Sequence, residues 1–165
     1  MRRIVATFAL ILTALTGSEV FALHEGDIAP TFVLPLADGS NFSSESVKGK
    51  VVYLDFWASW CPPCRDALDF LKELKSTHEG KGVEIVAVNL DNSRADADEV
   101  IGEIQPQFRV LFDPKGSVAK QFELPKMPTS FVIGKDGRIR KIHGGYKCAD
   151  KPEILAVIQS ALEEK

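Results

Sequence analysis

Residues 55–65 have the sequence DFWASWCPPCR, in which two prolines separate Cys61 from Cys64. The stretch begins inside an apolar run at residues 51–56, VVYLDF, and such runs are typical of strands that are covered on both faces. After Cys64, apolar residues recur at positions 67, 70, 71 and 74, and this spacing predicts an amphipathic helix that extends to about residue 77. The sequence therefore places Cys61 at the start of a helix and Cys64 one turn further along.

Patterns for strands and helices alternate on both sides of this segment. The apolar run at 83–90 predicts a second strand parallel to the first, so that residues 51–90 form a right-handed strand–helix–strand unit. Upstream, residues 31–34 predict a short strand and residues 43–48 one helical turn. Downstream, the patterns predict a helix at 95–104, a strand at 110–112, a short helix at 117–122, hairpin strands at 130–133 and 139–143, and a C-terminal helix from about residue 152.

The cysteine pair has the arrangement that thiol–disulfide exchange requires, namely a stabilised thiolate close to a second sulfur. A helix N-terminus supplies unpaired N–H groups and the positive end of a dipole, both of which lower the pKa of a thiol. Cys61 is therefore expected to be the accessible thiolate, and Cys64 the sulfur that resolves a mixed disulfide. Pro63 fits the first turn of the helix, where an N–H would have no partner.

Two other uses of the pair stay open at this point. A structural zinc site would need two further ligands, and the chain offers only Cys148 and the scattered His24, His78 and His143. A structural disulfide is the other alternative. The surrounding pattern of apolar strand, aromatic pair, cysteine pair and helix favours redox chemistry, and we predict no metal ligands and no cofactor.

Asp55 is a carboxylate inside an apolar strand, six residues before Cys61. Burial disfavours the ionised form of a carboxyl group, so we expect the pKa of Asp55 to be raised. Such a carboxylate near the second thiol can accept the proton of Cys64 during resolution, as general-base catalysis requires. The alternative is a hydrated aspartate at the edge of the sheet.

The N-terminus has the layout of a secretory signal peptide. Arg2 and Arg3 precede an uncharged stretch at residues 4–15, and a cleavage site with small residues ends at Ala22. We therefore divide the chain into a signal peptide at 1–22 and one domain at 23–165, and we expect the mature protein in the periplasm. The apolar stretch is shorter than the ~20 residues of a membrane-spanning helix, and an uncleaved membrane anchor is the alternative.

Several segments together resemble one known family. DFWASWCPPCR at 55–65 is similar to the active-site segment of thioredoxin-like proteins, and the likeness includes GDIAPTF at 26–32, LFDPKG at 111–116, MPTSFVI at 127–133 and DGRI at 136–139. The combination resembles the TlpA/ResA branch of bacterial, extracytoplasmic thiol–disulfide oxidoreductases. The resemblance covers nearly the whole chain from Gly26 onwards.

This resemblance implies an α/β, thioredoxin-like fold, with a central mixed β-sheet flanked by helices, an N-terminal β lead-in and a central insertion near residues 92–112. It also implies that Cys61 attacks, that Cys64 resolves, and that Asp55 is the buried carboxylate of the family. Pro128, which by residue type alone would be expected in a trans peptide bond, matches the family's cis-proline. The residues assigned to substrate binding are Trp60, Pro62, Pro63, Met127 and Pro128.

We expect a protein-disulfide reductase that acts on exported proteins, for example in cytochrome c maturation or copper-site assembly. Pro62 and Pro63 supply no N–H to the Cys61 thiolate, and this favours a reductant over a strong oxidant. The expected partners are exported protein disulfides or dithiols, together with a membrane or periplasmic thiol as electron donor. Since the net charge is −3, we expect no nucleic acid partner, and we expect a monomer.

Two other functions stay open, namely copper or zinc handling by the same cysteines and a thiol peroxidase. Peroxiredoxins carry proline and threonine seven and three residues before the active cysteine, where this chain has Leu54 and Ala58. Cys148 has no counterpart in the family pattern. We expect it to be an inert surface thiol, with intermolecular or regulatory disulfides as the alternative.

Overall fold

The computed structural model describes residues 23–164, so the predicted signal peptide at 1–22 lies outside the described residues. The strands of the described part are β1 (Val33–Pro35), β2 (Asn41–Ser43), β3 (Val51–Trp57), β4 (Val83–Asn89), β5 (Arg109–Phe112), β6 (Thr129–Ile133) and β7 (Ile139–Gly144). Its α-helices are α1 (Pro62–His78), α2 (Arg94–Ile104), α3 (Ser117–Gln121) and α4 (Lys151–Glu163). Short 3-10 turns at Ser44–Val47 and Cys148–Asp150 precede β3 and α4.

Five strands form a mixed central sheet in the order β5-β4-β3-β6-β7. β3, β4 and β5 run parallel, and β6 and β7 are added antiparallel on the other side of β3. The predicted mixed sheet flanked by helices is therefore confirmed. β1 and β2 pair with each other in a separate hairpin. The sequence predicts only one strand there, because Asn41–Ser43 is too short to show an alternating pattern.

β3 lies at the middle of the sheet, and all seven of its residues are buried. Alternate side chains of a strand point to opposite faces of the sheet, so β3 contributes to two cores. Tyr53 and Trp57 enter the core beneath α1 and α4, whereas Leu54 and Phe56 pack against the N-terminal lead-in and α3. By the same alternation, Asp55 lies on the α1 face.

Phe122, which directly follows α3, is the centre of an aromatic cluster on the opposite face. Its ring centroid lies 5.9 Å from that of Phe32, 5.3 Å from that of Phe56 and 4.9 Å from that of Phe131. Edge-to-face and tilted arrangements of this kind add to the stabilisation from burial. The cluster therefore fixes the lead-in and α3 onto the sheet.

The helices begin and end close to the predicted positions. α1 ends at His78, and α4 begins one residue earlier than predicted. Ser93 is the N-cap residue of α2, although its side chain forms no capping hydrogen bond. None of the helices in residues 23–164 is long and apolar enough to cross a membrane.

Candidate active site

Cys61 and Cys64 lie at the start of α1 and are joined by a disulfide bond, with 5.4 Å between their Cα atoms. Cys61 is the N-cap residue, and Pro62 and Pro63 occupy the first two helical positions. The Cys61 N–H donates to the Ala58 carbonyl oxygen at 3.2 Å and closes a turn over residues 58–61, which we call the active-site turn. The Cys64 N–H donates to the Cys61 carbonyl oxygen at 3.0 Å. Since proline has no N–H, few donors remain at this helix N-terminus.

The two cysteines differ in exposure. Cys61 keeps 4% of its surface exposed, and Cys64 keeps none. The sequence predicts an accessible Cys61 thiolate. In the disulfide form Cys61 is less exposed than this prediction implies, because it packs into the core beneath α1. Trp60, which is 65% exposed, and the two exposed prolines surround it on the outer side. An incoming sulfur can therefore reach the pair only through Cys61.

Asp55 is 1% exposed, and its Oδ2 atom has no hydrogen-bond partner among the described residues. Burial raises the pKa of this carboxyl group well above its usual range, because the ionised form loses its hydration. The hydrated edge position that stood as the alternative is therefore wrong. Asp55 pairs with Ser130 of β6 across the sheet. Burial and the nearby Asp55 charge also raise the pKa of Tyr53.

Pro128 lies at the same edge of the sheet as the active-site turn. Phe56 pairs with Thr129, the first residue of β6, so Pro128, which directly precedes β6, lies beside the end of β3. The Met127–Pro128 peptide bond is cis, as the family resemblance implies. The Pro128 carbonyl oxygen accepts a hydrogen bond from the Gly145 N–H at 2.7 Å, and the partly buried Met127 packs against the core that contains both cysteines.

A family model described as Redoxin matches residues 24–158. The chain belongs to the Redoxin family. Similar proteins include the thiol-disulfide oxidoreductase ResA of Bacillus cereus, which is 32% identical over 161 residues that cover 90% of this chain and 93% of the relative. ResA of Bacillus subtilis is 32% identical over 124 residues, which cover 75% of this chain and 69% of the relative.

Solved structures, too, are similar to this Redoxin-family member over most of its length. A Chlorobium tepidum protein assigned as the thiol:disulfide interchange protein DsbE has a TM-score of 0.82 and 40% identity, covering 86% of this chain and 99% of its own. StoA from Bacillus subtilis has a TM-score of 0.66 and 28% identity, covering 78% of this chain and 98% of its own. The predicted ResA-like relationship and thioredoxin-like fold are confirmed, and with the Cys61–Cys64 pair they identify a protein-disulfide oxidoreductase.

Asp91 is a second buried carboxylate in this Redoxin-family site, and it is not among the residues that the sequence predicts. It lies in the loop between β4 and α2 and is 5% exposed. Its carboxylate accepts hydrogen bonds from the N–H and hydroxyl of Ser59 in the active-site turn and from the side-chain amide of Asn89. Polar residues directly after an apolar strand are the signal that points to it, because the loops that follow parallel strands meet at one edge of the sheet.

The predicted insertion at 92–112 of this Redoxin-family chain supplies α2 and the edge strand β5. Arg65, in the first turn of α1, forms an ion pair with Glu103 of α2. Both side chains are about half exposed, and ion pairs of this kind typically contribute about 1 kcal/mol or less. The Arg65–Glu103 ion pair thus connects the insertion to α1, the helix that carries the cysteines, but it adds little to stability.

None of the other candidate ligands joins the cysteine pair. His24, His78 and His143 pair with neighbouring side chains elsewhere, and Cys148 is an exposed free thiol. Within residues 23–164, no group of three or more His, Cys, Asp or Glu side chains is placed to share a metal ion. The described part of the chain therefore offers no third ligand beside Cys61 and Cys64.

Proposed function

We propose that this protein reduces disulfide bonds in exported proteins through Cys61 and Cys64. The observation that supports the proposal is the arrangement of the two residues at the start of α1. Cys61 is the cysteine of the pair that keeps exposed surface, and Cys64 is fully buried one turn behind it. A partner sulfur therefore meets Cys61 first, and Cys64 is placed to release it.

The reaction begins with the reduced cysteine pair. The Cys61 thiolate attacks one sulfur of the substrate disulfide, the substrate S–S bond breaks, and the other substrate sulfur leaves as a thiolate. Cys64 then loses its proton and attacks the Cys61 sulfur, which forms the Cys61–Cys64 disulfide and releases the second substrate thiolate. The substrate gains two electrons and the pair loses two. A membrane or periplasmic thiol donor returns the electrons to the pair.

Asp55 is the group that we assign to accept the Cys64 proton. Its side chain lies on the same face of β3 as Trp57, and Trp57 and Cys64 belong to one buried cluster. Because burial raises the pKa of the Asp55 carboxyl group, its ionised form is a stronger base toward a thiol than an ordinary carboxylate is. An internal acceptor is needed there, since Cys64 has no contact with solvent.

The rim around Cys61 is the proposed substrate-binding surface. Trp60, Pro62 and Pro63 are exposed on the outer side of the disulfide, where they can contact the chain that carries the substrate sulfur. Met127 and Pro128 border the same edge of the sheet, and we assign the Met127 backbone to an extended substrate segment.

We propose a reductant rather than an oxidant because the Cys61 thiolate has few donors around it. Pro62 and Pro63 have no N–H, and the Cys64 N–H already donates to the Cys61 carbonyl oxygen in the disulfide form. Strong oxidants stabilise the reduced form of the pair heavily. A redox titration against glutathione is expected to give a potential of about −200 mV or below, and a value near about −120 mV would contradict this direction.

We place the reaction outside the cytoplasm, since residues 1–22 have the pattern of a secretory signal. Apocytochrome c and copper-site proteins are the exported substrates that we propose to test first. N-terminal sequencing of the protein from the periplasmic fraction is expected to begin at Leu23. A chain that retains Met1 in the membrane fraction would instead support the uncleaved anchor.

Substrate trapping tests the function directly. Cys64→Ser leaves Cys61 able to attack but removes the sulfur that releases the substrate, so mixed disulfides with exported proteins are expected to accumulate. They are identified by mass spectrometry after non-reducing electrophoresis. The matched control is Cys61→Ser, and both variants carry Cys148→Ser so that the exposed thiol forms no adducts. If C64S traps no more protein than C61S, the proposed function is wrong.

A further inference from the structure

The active-site turn is held from the neighbouring loop by Asp91. The Ser59 N–H lies 2.9 Å from Asp91 Oδ2, and the Ser59 hydroxyl lies 3.0 Å from Oδ1. Ser59 is the second residue of the turn that the Cys61 N–H closes onto Ala58. The contact therefore acts on the turn itself, two residues before the Cys61 sulfur.

Asn89 fixes Asp91 in its place. The Asn89 side-chain amide donates to Asp91 Oδ2 at 2.7 Å, and its carbonyl oxygen accepts the Asp91 N–H at 3.0 Å. Asn89 pairs with Trp57 across the parallel strands, and the Leu90 N–H donates to the Trp57 carbonyl oxygen at 2.9 Å. The end of β4 is thus connected to the end of β3 both through the sheet and through the Asp91 carboxylate.

The donors around Asp91 are all neutral. No ion pair among residues 23–164 includes Asp91. Burying a carboxylate without an opposite charge costs free energy that neutral hydrogen bonds offset only in part. The presence of Asp91 is therefore better explained by what it holds in place than by a gain in fold stability.

We propose that Asp91 is a positioning residue for disulfide exchange at Cys61, an inference that rests on the proposed function of the cysteine pair. By fixing Ser59, it holds the active-site turn so that the Cys61 sulfur and the exposed Trp60 face the incoming disulfide together. Reacting atoms must approach in a defined geometry, and a misplacement of about 1 Å can lower a rate about 100-fold.

Asp113 provides a matched control within the same chain. It is 1% exposed, and its carboxylate also accepts from the N–H and hydroxyl of a serine, Ser117, both at 2.9 Å. These bonds, with two further N–H groups, cap the start of α3. Asp113 forms no hydrogen bond with the active-site turn, so its loss is expected to affect stability without affecting Cys61.

The test compares Asp91→Ala with Asp113→Ala, both made in a Cys148→Ser background so that the exposed thiol takes up no alkylating reagent. Two quantities are measured, namely kcat/KM for the reduction of insulin and the midpoint pH of Cys61 alkylation by iodoacetamide. Both are expressed per folded molecule, with the folded fraction taken from near-UV circular dichroism. D91A is expected to lower kcat/KM about 10-fold to 100-fold and to shift the alkylation midpoint, whereas D113A is expected to leave both unchanged.

Asp91→Asn distinguishes a positioning role of the side chain from an effect of its negative charge. It retains a carbonyl oxygen that can accept from Ser59, so it is expected to recover most of the exchange rate. A D91N rate as low as that of D91A would assign the effect to the negative charge and overturn the positioning role. Equal effects of D91A and D113A per folded molecule would overturn it as well. If the protein without a substitution at Asp91 or Asp113 does not reduce insulin, and C64S traps no substrate, the proposed function is wrong. The alkylation midpoint can still be compared between D91A and D113A, so the effect of Asp91 on Cys61 is tested separately.

Discussion

Asp55→Asn is expected to remove the pH dependence that a buried carboxyl group gives to folding. The Asp55 side chain is buried, its Oδ2 has no partner among the described residues, and burial raises its pKa. The folded protein therefore keeps the Asp55 proton at pH values where the unfolded chain, with an ordinary pKa of about 3.9, has lost it. Because the folded state then binds one more proton, the free energy of unfolding falls as the pH rises.

The magnitude follows from the single proton involved. The contribution of Asp55 to stability is complete below a pH of about 3.9 and is lost by about 1.4 kcal/mol per pH unit until the pH reaches the folded pKa. The asparagine side chain of D55N does not titrate, so the difference in unfolding free energy between D55N and the wild type is expected to grow in favour of D55N by the same amount per unit. Above the folded pKa, the difference becomes constant.

Urea denaturation of the disulfide form between pH 4 and 8, followed by tryptophan fluorescence, measures this difference. The disulfide form is used because its two active-site cysteines do not titrate. Salt screens the charges of buried groups much less than those of exposed groups. The change of this difference with pH is therefore expected to persist in 1 M NaCl. A difference that stays constant with pH would refute the raised pKa of Asp55, whatever the absolute stability of D55N.

Three further substitutions test other parts of the structure. Phe122→Ala is expected to cost about 3–5 kcal/mol in urea denaturation, since it empties the centre of the aromatic cluster, and a loss below about 1 kcal/mol would contradict that packing. Trp60→Ala is expected to change stability by about 0.5 kcal/mol or less but to lower kcat/KM for insulin more than for oxidised glutathione; equal losses for both would argue against a role in protein binding. Cys148→Ser is expected to leave insulin reduction and migration on non-reducing gels unchanged, since Cys148 is expected to be an inert surface thiol; a slower variant, or the loss of a dimer band, would contradict this.

Long periodic segments of this chain could be predicted from the sequence, and short or non-local features could not. The apolar run of β3 and the spacing of α1 repeat over several residues, so their patterns are unambiguous. β2 has three residues and forms only by pairing with β1, which no local pattern reports. The cis bond before Pro128 was expected from the family resemblance alone, since residue type favours trans.

In the candidate site, too, some features could be predicted from the sequence and others could not. The burial of Asp55 could be predicted because its neighbours along β3 are all apolar. The enclosure of Cys61 and the role of Asp91 could not, because both depend on segments that are distant in the chain. Asp91 meets Ser59 only because β3 and β4 are parallel and place their following loops side by side.

The two sides of β3 are covered by distant parts of the chain, and this has a consequence for the chemistry. The cysteine pair follows β3 directly, whereas β6, which pairs along one side of β3 and is directly preceded by Pro128, belongs to the C-terminal half of the chain. Asp55 lies opposite Ser130 of β6, so the burial of its carboxyl group is complete only when β6 has paired with β3. The proton acceptor that we assign to Cys64 therefore depends on a strand from the C-terminal half of the chain, and a chain truncated before residue 127 would contain both cysteines without the buried carboxyl group.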